Sequence, residues 1–132
     1  MVASLGMAAL GTVVTWHSVE VKECDNVDFS GSTGEEIDIT NHNSPDQYKE
    51  FVMGLLDGGT ITCSGNKVTD TGQALVITDH YASGLWTWSV AFPDGTFAGS
   101  GYIKSFSVGA PVAGKLSWSF VIRITGKATY TP

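Results

Sequence analysis

A chain of 132 residues is long enough for one domain, which at this size buries roughly two-thirds of the surface it would expose unfolded. With 42% apolar and only 15% charged residues it is not a disordered polymer, and its 16 glycines favour many short strands over long helices. A formal net charge of −6 argues against a sequence-reading nucleic-acid binder, which needs a basic footprint for the phosphates.

The charge is unevenly spread. Residues 1–66 hold ten acids and two bases, whereas residues 67–132 hold three acids and five bases. Such polarity suits either ordinary solvated faces or a head that attracts another copy's tail in a self-propagating contact. Cys24 and Cys63 lack the C-x-x-C spacing of a zinc or redox site, and reduced, buried thiols are expected. The uncharged stretch Met1–Trp16 has no basic n-region for a signal peptide and is too short and glycine-interrupted to span a bilayer. We expect an N-terminal arm over 1–11 and no membrane partner.

Taken in chain order, Thr12–Trp16 and His17 to about Val27 read as strands. The polar, acidic, glycine-punctuated run at 25–36 reads as a projecting loop, with Phe29 its natural anchor. Glu35–Thr40 is a short strand. The spacing then predicts a helix over about 45–57. Ser44 stands at the N-cap, Pro45 at the first position, and Tyr48, Phe51, Val52, Leu55 and Leu56 form an apolar stripe at helical spacing ahead of Gly58-Gly59. Those five side chains, with the Ser44 cap, would be the scaffold that packs this helix on the sheet. Thr60–Thr69 returns as a strand, and Asp70–Ala82 reads as a short helix in which Asp70 and Gln73 form the cap, although Val76-Ile77-Thr78 has strand character. Three strongly alternating segments follow. Residues 85–92 put Trp86, Trp88, Val90 and Phe92 on one face, and Phe92-Pro93-Asp94-Gly95 turns the chain. A strand from about Thr96 to Val108 and another from Lys115 to Thr125 complete an antiparallel meander with a one-sided core. The fold class is mostly β, an antiparallel β-sandwich or barrel-like single domain over 1–132 with one flanking α-helix.

No catalytic, cofactor or metal constellation emerges. His17, His42 and His80 are far apart without an i, i+4 pair, and Glu35, Glu36 and Asp38 lack EF-hand spacing. Gly54 and Gly58-Gly59 lack the lysine of a phosphate loop. Trp86, Trp88 and Trp118 would suit a sugar platform only if exposed, and they sit in phase with Val, Phe and Ile of the core face.

Several blocks occur in a telling order: Ile37-Asp38-Ile39-Thr40 with Asn41-His42-Asn43-Ser44, then Phe51 to Gly59, Phe92-Pro93-Asp94-Gly95-Thr96, Ala110-Pro111-Val112-Ala113-Gly114, and Ile124-Thr125-Gly126-Lys127. Over about residues 35–128 the series resembles the major tail tube protein of long, non-contractile tailed phages, although Tyr48 stands for the usual Trp and Ala113 for the usual Asp. The resemblance implies a non-enzymatic virion protein whose hexameric rings stack head to tail into a tube that conducts DNA on ejection. It implies no cofactor, and as partners other copies, the tail tip and tail terminator proteins, and genomic DNA passing without sequence-specific binding. Assembly in the host cytoplasm into the virion tail follows. On this reading Asp25, Asp28, Phe29, Glu35 and Glu36 are candidate inter-ring contacts, and the outward faces of the strands spanning 85–125 meet neighbouring subunits. A secretion-system tube protein and a carbohydrate- or protein-binding β-sandwich are the alternatives.

Overall fold

The computed structural model describes residues 12–132, so the expected arm at 1–11 lies outside the described residues. Eleven strands-and-helix elements follow one another. They are β1 (Val13–Trp16), β2 (Val19–Val21), β3 (Cys24–Phe29), β4 (Thr33–Asp38), β5 (Phe51–Asp57), β6 (Thr60–Asn66), α1 (Thr71–Ala82), β7 (Trp86–Phe92), β8 (Gly95–Gly109) and β9 (Ser117–Thr131), with a single 3-10 turn at Pro45–Gln47. Seven strands form one antiparallel sheet in the order β2-β1-β7-β8-β9-β6-β3, curled into a half-barrel, and β4 pairs with β5 in a separate ribbon. The mostly-β, barrel-like class with one helix is therefore correct.

The meander lies where alternation put it. Trp88 and Val90 on β7, Ile103 on β8 and Trp118, Phe120, Ile122 and Ile124 on β9 are buried together with Val14, Trp16, Ile61 and Cys63. The opposite face of these strands carries cross-strand rows of small polar residues. Ser64 lies opposite Ser119, which lies opposite Ser107, and Thr62, Val121 and Ser105 form the next row. Register shifts at Ala98/Ser100, where β9 carries the extra residues, and at Ile103/Ser105, where β8 carries one, let two fifteen-residue strands curl without breaking their pairing.

The helix is not where its stripe predicted. Residues 51–57 are strand, and the segment holding Pro45 makes a single turn, Pro45–Gln47, within which Asp46 and Gln47 take left-handed φ of 52° and 62°. Ser44 makes no cap: its hydroxyl instead accepts the Asn41 N–H at 3.0 Å and donates to Glu50 at 3.1 Å. The run Phe51–Leu56 satisfies a helical and an extended pattern alike, and the strand Thr33–Asp38 supplies the partner that decides between them. The only helix among the described residues is α1. Asp70 caps it by accepting the Gln73 N–H at 3.2 Å, as the sequence suggested.

The face by which α1 docks is largely polar. Gln73 is fully buried; its amide nitrogen donates to Lys22 O at 3.1 Å and Asn66 O at 3.0 Å, and its oxygen accepts from Val68 N–H at 3.1 Å. Buried Asp79 accepts the Trp16 indole N–H at 2.8 Å and lies 3.0 Å from His17 Nδ1. Gly72 touches the β2 backbone so closely that a Cβ would collide with Glu20 O. These contacts fasten the helix to the start of the sheet. His80 Nδ1 lies 2.9 Å from Ile103 O and ties the helix's last turn to β8.

The expected loop at 25–36 is also strand. β3 pairs with β6 along its length, and a turn centred on Gly31, at φ 78°, leads directly into β4. The sequence read as a loop because β3 and β4 are edge strands rich in Asp, Asn, Glu and Gly, which is how exposed edges resist unwanted pairing. Both cysteines are unbridged. Cys63 is buried on β6, where a hydrogen bond with Cys24 and then burial push its thiol well above the ordinary range and keep it protonated.

Candidate functional site: an uncovered apolar hairpin

What projects from the domain is the ribbon β4–β5. Its strands pair antiparallel, with Ile37 opposite Val52, Asp38 opposite Phe51 and Gly34 opposite Leu56. The connection is closed by its own hydrogen bonds: Ile39 N–H donates to Glu50 O at 3.0 Å, and Thr40 Oγ1 accepts the Glu50 N–H at 2.8 Å. Asp38 accepts from the Thr40 side chain and backbone, which holds its carboxyl below the usual carboxylate range. The tip thus closes on hydrogen bonds of its own. Its apolar side chains are not. Leu55 is 85% exposed, Met53 69% and Leu56 62%, with Tyr48, Phe51 and Val52 also open to solvent. A two-stranded ribbon is at best marginal alone, and an uncovered apolar surface of this kind marks an interaction site.

The root of the ribbon is fixed by polar contacts. Gly59, at φ 87°, turns the chain from β5 into β6, and a Cβ there would collide with Gly31 O. Arg123 on β9 donates to Asp57 Oδ2 at 2.8 Å and to Gly59 O at 3.2 Å, while Gly59 N–H donates to Asp57 Oδ1 at 2.9 Å. Ser30 pairs with Thr60, donating its N–H at 3.0 Å and accepting the Thr60 N–H on its hydroxyl at 2.8 Å. The Arg123 hydrogen bond, reinforced by the Gly59 N–H, lowers the Asp57 pKa. Because the folded value is depressed, this latch is fully present above the ordinary carboxylate pKa of about 3.9 and is lost as pH falls through the lower folded value. In an NMR titration the Gly59 amide is therefore expected to shift below about pH 4 in the native chain, and nearer the ordinary carboxylate value in Arg123→Gln. A midpoint indifferent to Arg123→Gln would mean the pair does not form.

Beneath the ribbon lies an apolar groove of about 750 Å³, walled by Phe29, Leu56, Phe92, Phe97 and Ala128 with Lys127 at its side. Phe29 is not a projecting anchor. It is half-buried, its ring centroid 5.9 Å from Trp88 and 4.9 Å from Phe97.

The candidate contact residues consequently fall into two groups. Asp25, Asp28 and Phe29 lie on β3 at the edge of the main sheet, whereas Glu35 and Glu36 lie on β4 of the ribbon. The residues expected to scaffold a helix, Ser44, Tyr48, Phe51, Val52, Leu55 and Leu56, line the ribbon and its tip, where they present a surface and fill no core. Sequence reasoning missed Ile37, Ile39 and Met53, all exposed on the same ribbon; the alternation of Glu35–Ile39 was the available signal. Among the described residues no group of three or more His, Cys, Asp or Glu is placed to hold a metal ion.

Comparison with known proteins gives this arrangement its context. No protein-family model and no curated protein sequence matches the chain. Solved structures do. A chain from the virion of a native gene transfer agent particle superposes with a TM-score of 0.85 at 14% identity, covering 96% of this chain and all of that one. A chain from the tail of an empty gene transfer agent particle, determined with C6 symmetry, gives 0.74 at 18% identity, covering 83% of each. The tail tube of SPP1 gives 0.64 at 13% identity, covering 93% of this chain and 78% of that chain. The fold is that of a tail-tube protein. In the first of these structures the likeness covers 96% of the chain.

Proposed function

We propose that this chain is a structural tail-tube subunit that forms hexameric rings stacked head to tail, through which DNA leaves a phage or phage-like particle. The observation that carries the reading is the likeness in fold to a virion protein over 96% of the chain, joined to a ribbon whose apolar side chains have no cover of their own. The C6 symmetry of the related particle tail supports six subunits per ring. A contact between one end of a subunit and a different surface of the next does not close on itself and so propagates as a filament. Charge favours that geometry. Residues 33–57 hold six acids and one lysine, while β8, β9 and their connection hold four bases and no acid. Tail tip and tail terminator proteins are the partners at the two ends, and assembly takes place in the host cytoplasm.

Negative-stain electron microscopy of the purified chain across a concentration series tests the reading. Rings or tubes with an open channel are the expected result, spontaneously or after seeding with tail-tip complexes. Monomers that stay inert when seeded would overturn it.

A further inference from the structure

The two cysteines, far apart in the chain, become neighbours through an irregularity in one strand. For most of their length β3 and β6 pair in simple register, with Val27 opposite Cys63 and Asn26 opposite Ser64. Continued without interruption, that register would set Cys24 opposite Asn66, on the face away from Cys63. A bulge at Asp25 intervenes, and Cys24 falls opposite Gly65 instead. Gly65 and Cys63 are two positions apart on one strand, so the bulge turns Cys24 onto the face that carries Cys63 and makes the pair diagonal neighbours. Cys24 packs against the buried cluster to which Cys63 belongs. The sulfurs form a short relay: the Cys63 thiol donates to Cys24 Sγ, and Cys24 Sγ donates to Val21 O at 3.6 Å. Cys63 is fully buried, whereas Cys24 is partly open to solvent. The hydrogen bond from Cys63 lowers the Cys24 pKa, against burial and the carboxylates of Asp25 and Asp70. Strand β3 is moreover the last of its sheet and pairs with β6 alone, so it can shift slightly without disturbing a second neighbour.

We propose that Cys24 and Cys63 form a reversible disulfide that staples the edge strand β3 to β6, with a small disulfide such as oxidised glutathione as co-reactant. Cys24 gives up its proton and attacks one sulfur of oxidised glutathione, whose S–S bond breaks and releases one glutathione thiolate. Cys63 then gives up its proton and attacks Cys24 Sγ in the mixed disulfide, and the second glutathione leaves. Two protein thiols are oxidised, one small disulfide is reduced to two thiols, and the two protons pass to the departing glutathiones. The bridge encloses residues 25–62, which include the whole ribbon, and constrains that loop in the unfolded chain. It also opposes peeling of β3, which would loosen the root of the ribbon at Ser30 and Gly31. The proposal does not depend on the tube reading. On that reading, the pair stays reduced during cytoplasmic assembly and closes after release into oxidising surroundings.

The test equilibrates the folded native chain with glutathione buffers from reduced to oxidised, traps free thiols with N-ethylmaleimide under denaturing conditions and maps tryptic peptides. Cleavage at Lys22, Lys49 and Lys67 places the two cysteines on separate peptides, so a bridge is read directly as a linked pair. In oxidised buffer the linked pair is expected to predominate, with the thermal midpoint raised by about 10 °C and restored by dithiothreitol. Cys63→Ala, which lacks the second thiol, should instead hold one glutathione on Cys24. The map of the native chain decides the question whether or not that variant folds. Native chain that keeps both thiols free, that retains glutathione on Cys24 beside a free Cys63, or that links Cys24 to a second chain would overturn the proposal. A bridge that forms but leaves the midpoint unchanged or lowered would overturn its role as a staple.

Discussion

Gln73→Ala is expected to lower the unfolding free energy by about 3 kcal/mol, since Lys22 O, Asn66 O and Val68 N–H lose their partner together and the vacated space has no apolar group to fill it. The effect exceeds that of an ordinary hydrogen bond because one amide serves three backbone groups from two separated segments. Gln73→Glu keeps the acceptor but buries a carboxylate against two carbonyl oxygens, and should be as damaging at neutral pH and less so in acid. Urea unfolding monitored by tryptophan fluorescence measures both, the core holding Trp16, Trp88 and Trp118. A loss of only a few tenths of a kcal/mol for Gln73→Ala would mean that α1 is held by its apolar contacts, chiefly Val76, and not by this network.

The second large effect falls on assembly. Met53→Ser combined with Leu55→Ser should leave the unfolding midpoint of the monomer nearly unchanged, within about 0.5 kcal/mol, because both side chains are already in water. The same double substitution should abolish tube growth, since it removes two of the largest apolar groups offered to a neighbour. Phe51→Ala belongs to the same class. Were Phe51 packed beneath a helix, it would cost about 3–5 kcal/mol, but on an exposed strand it should cost almost nothing in the monomer. Sedimentation and electron microscopy, run beside denaturation, separate the two effects. Normal tubes from the double variant would show that the ribbon is not the growing contact.

How far the sequence reveals this protein depends on whether one pattern or two competing patterns fit each segment. The strands β7 and, as far as Thr125, β9 are legible because aromatic and β-branched residues alternate with a face that is mostly Ser and Thr, broken only by Ala91, Val121 and Arg123, a pattern no helix reproduces. The segment 51–57 carries five apolar residues flanking Gly54 and fits both periods; its outcome depends on a partner strand some fifteen residues upstream, which periodicity does not weigh. The helix α1 was faint for the opposite reason. Its buried residues are Gly72, Gln73, Val76 and Asp79, so its inner face looks like an outer one until the partners Trp16, Lys22 and Asn66 are seen. The candidate site suffered the same displacement. Its apolar residues were identified, but as the inside of a helix and not as a surface. Phe29 was singled out correctly as the aromatic of its segment, yet the sheet beside it supplies Trp88 and Phe97 and draws its ring inward.

None of residues 33–57 belongs to the buried core or to the apolar side chains packed against it. The ribbon joins the domain at the turn around Gly31 and at the Gly58-Gly59 link, with Leu56 reaching the groove beneath. Substitutions far apart and without shared partners act additively on stability. Selection can therefore rewrite nearly the whole ribbon, its charge, its length and its apolar pattern, without requiring compensating change in the barrel. On the proposed tube reading, two lineages could keep one barrel and diverge in the pitch, the stiffness or the mutual compatibility of their tubes through these 25 positions alone.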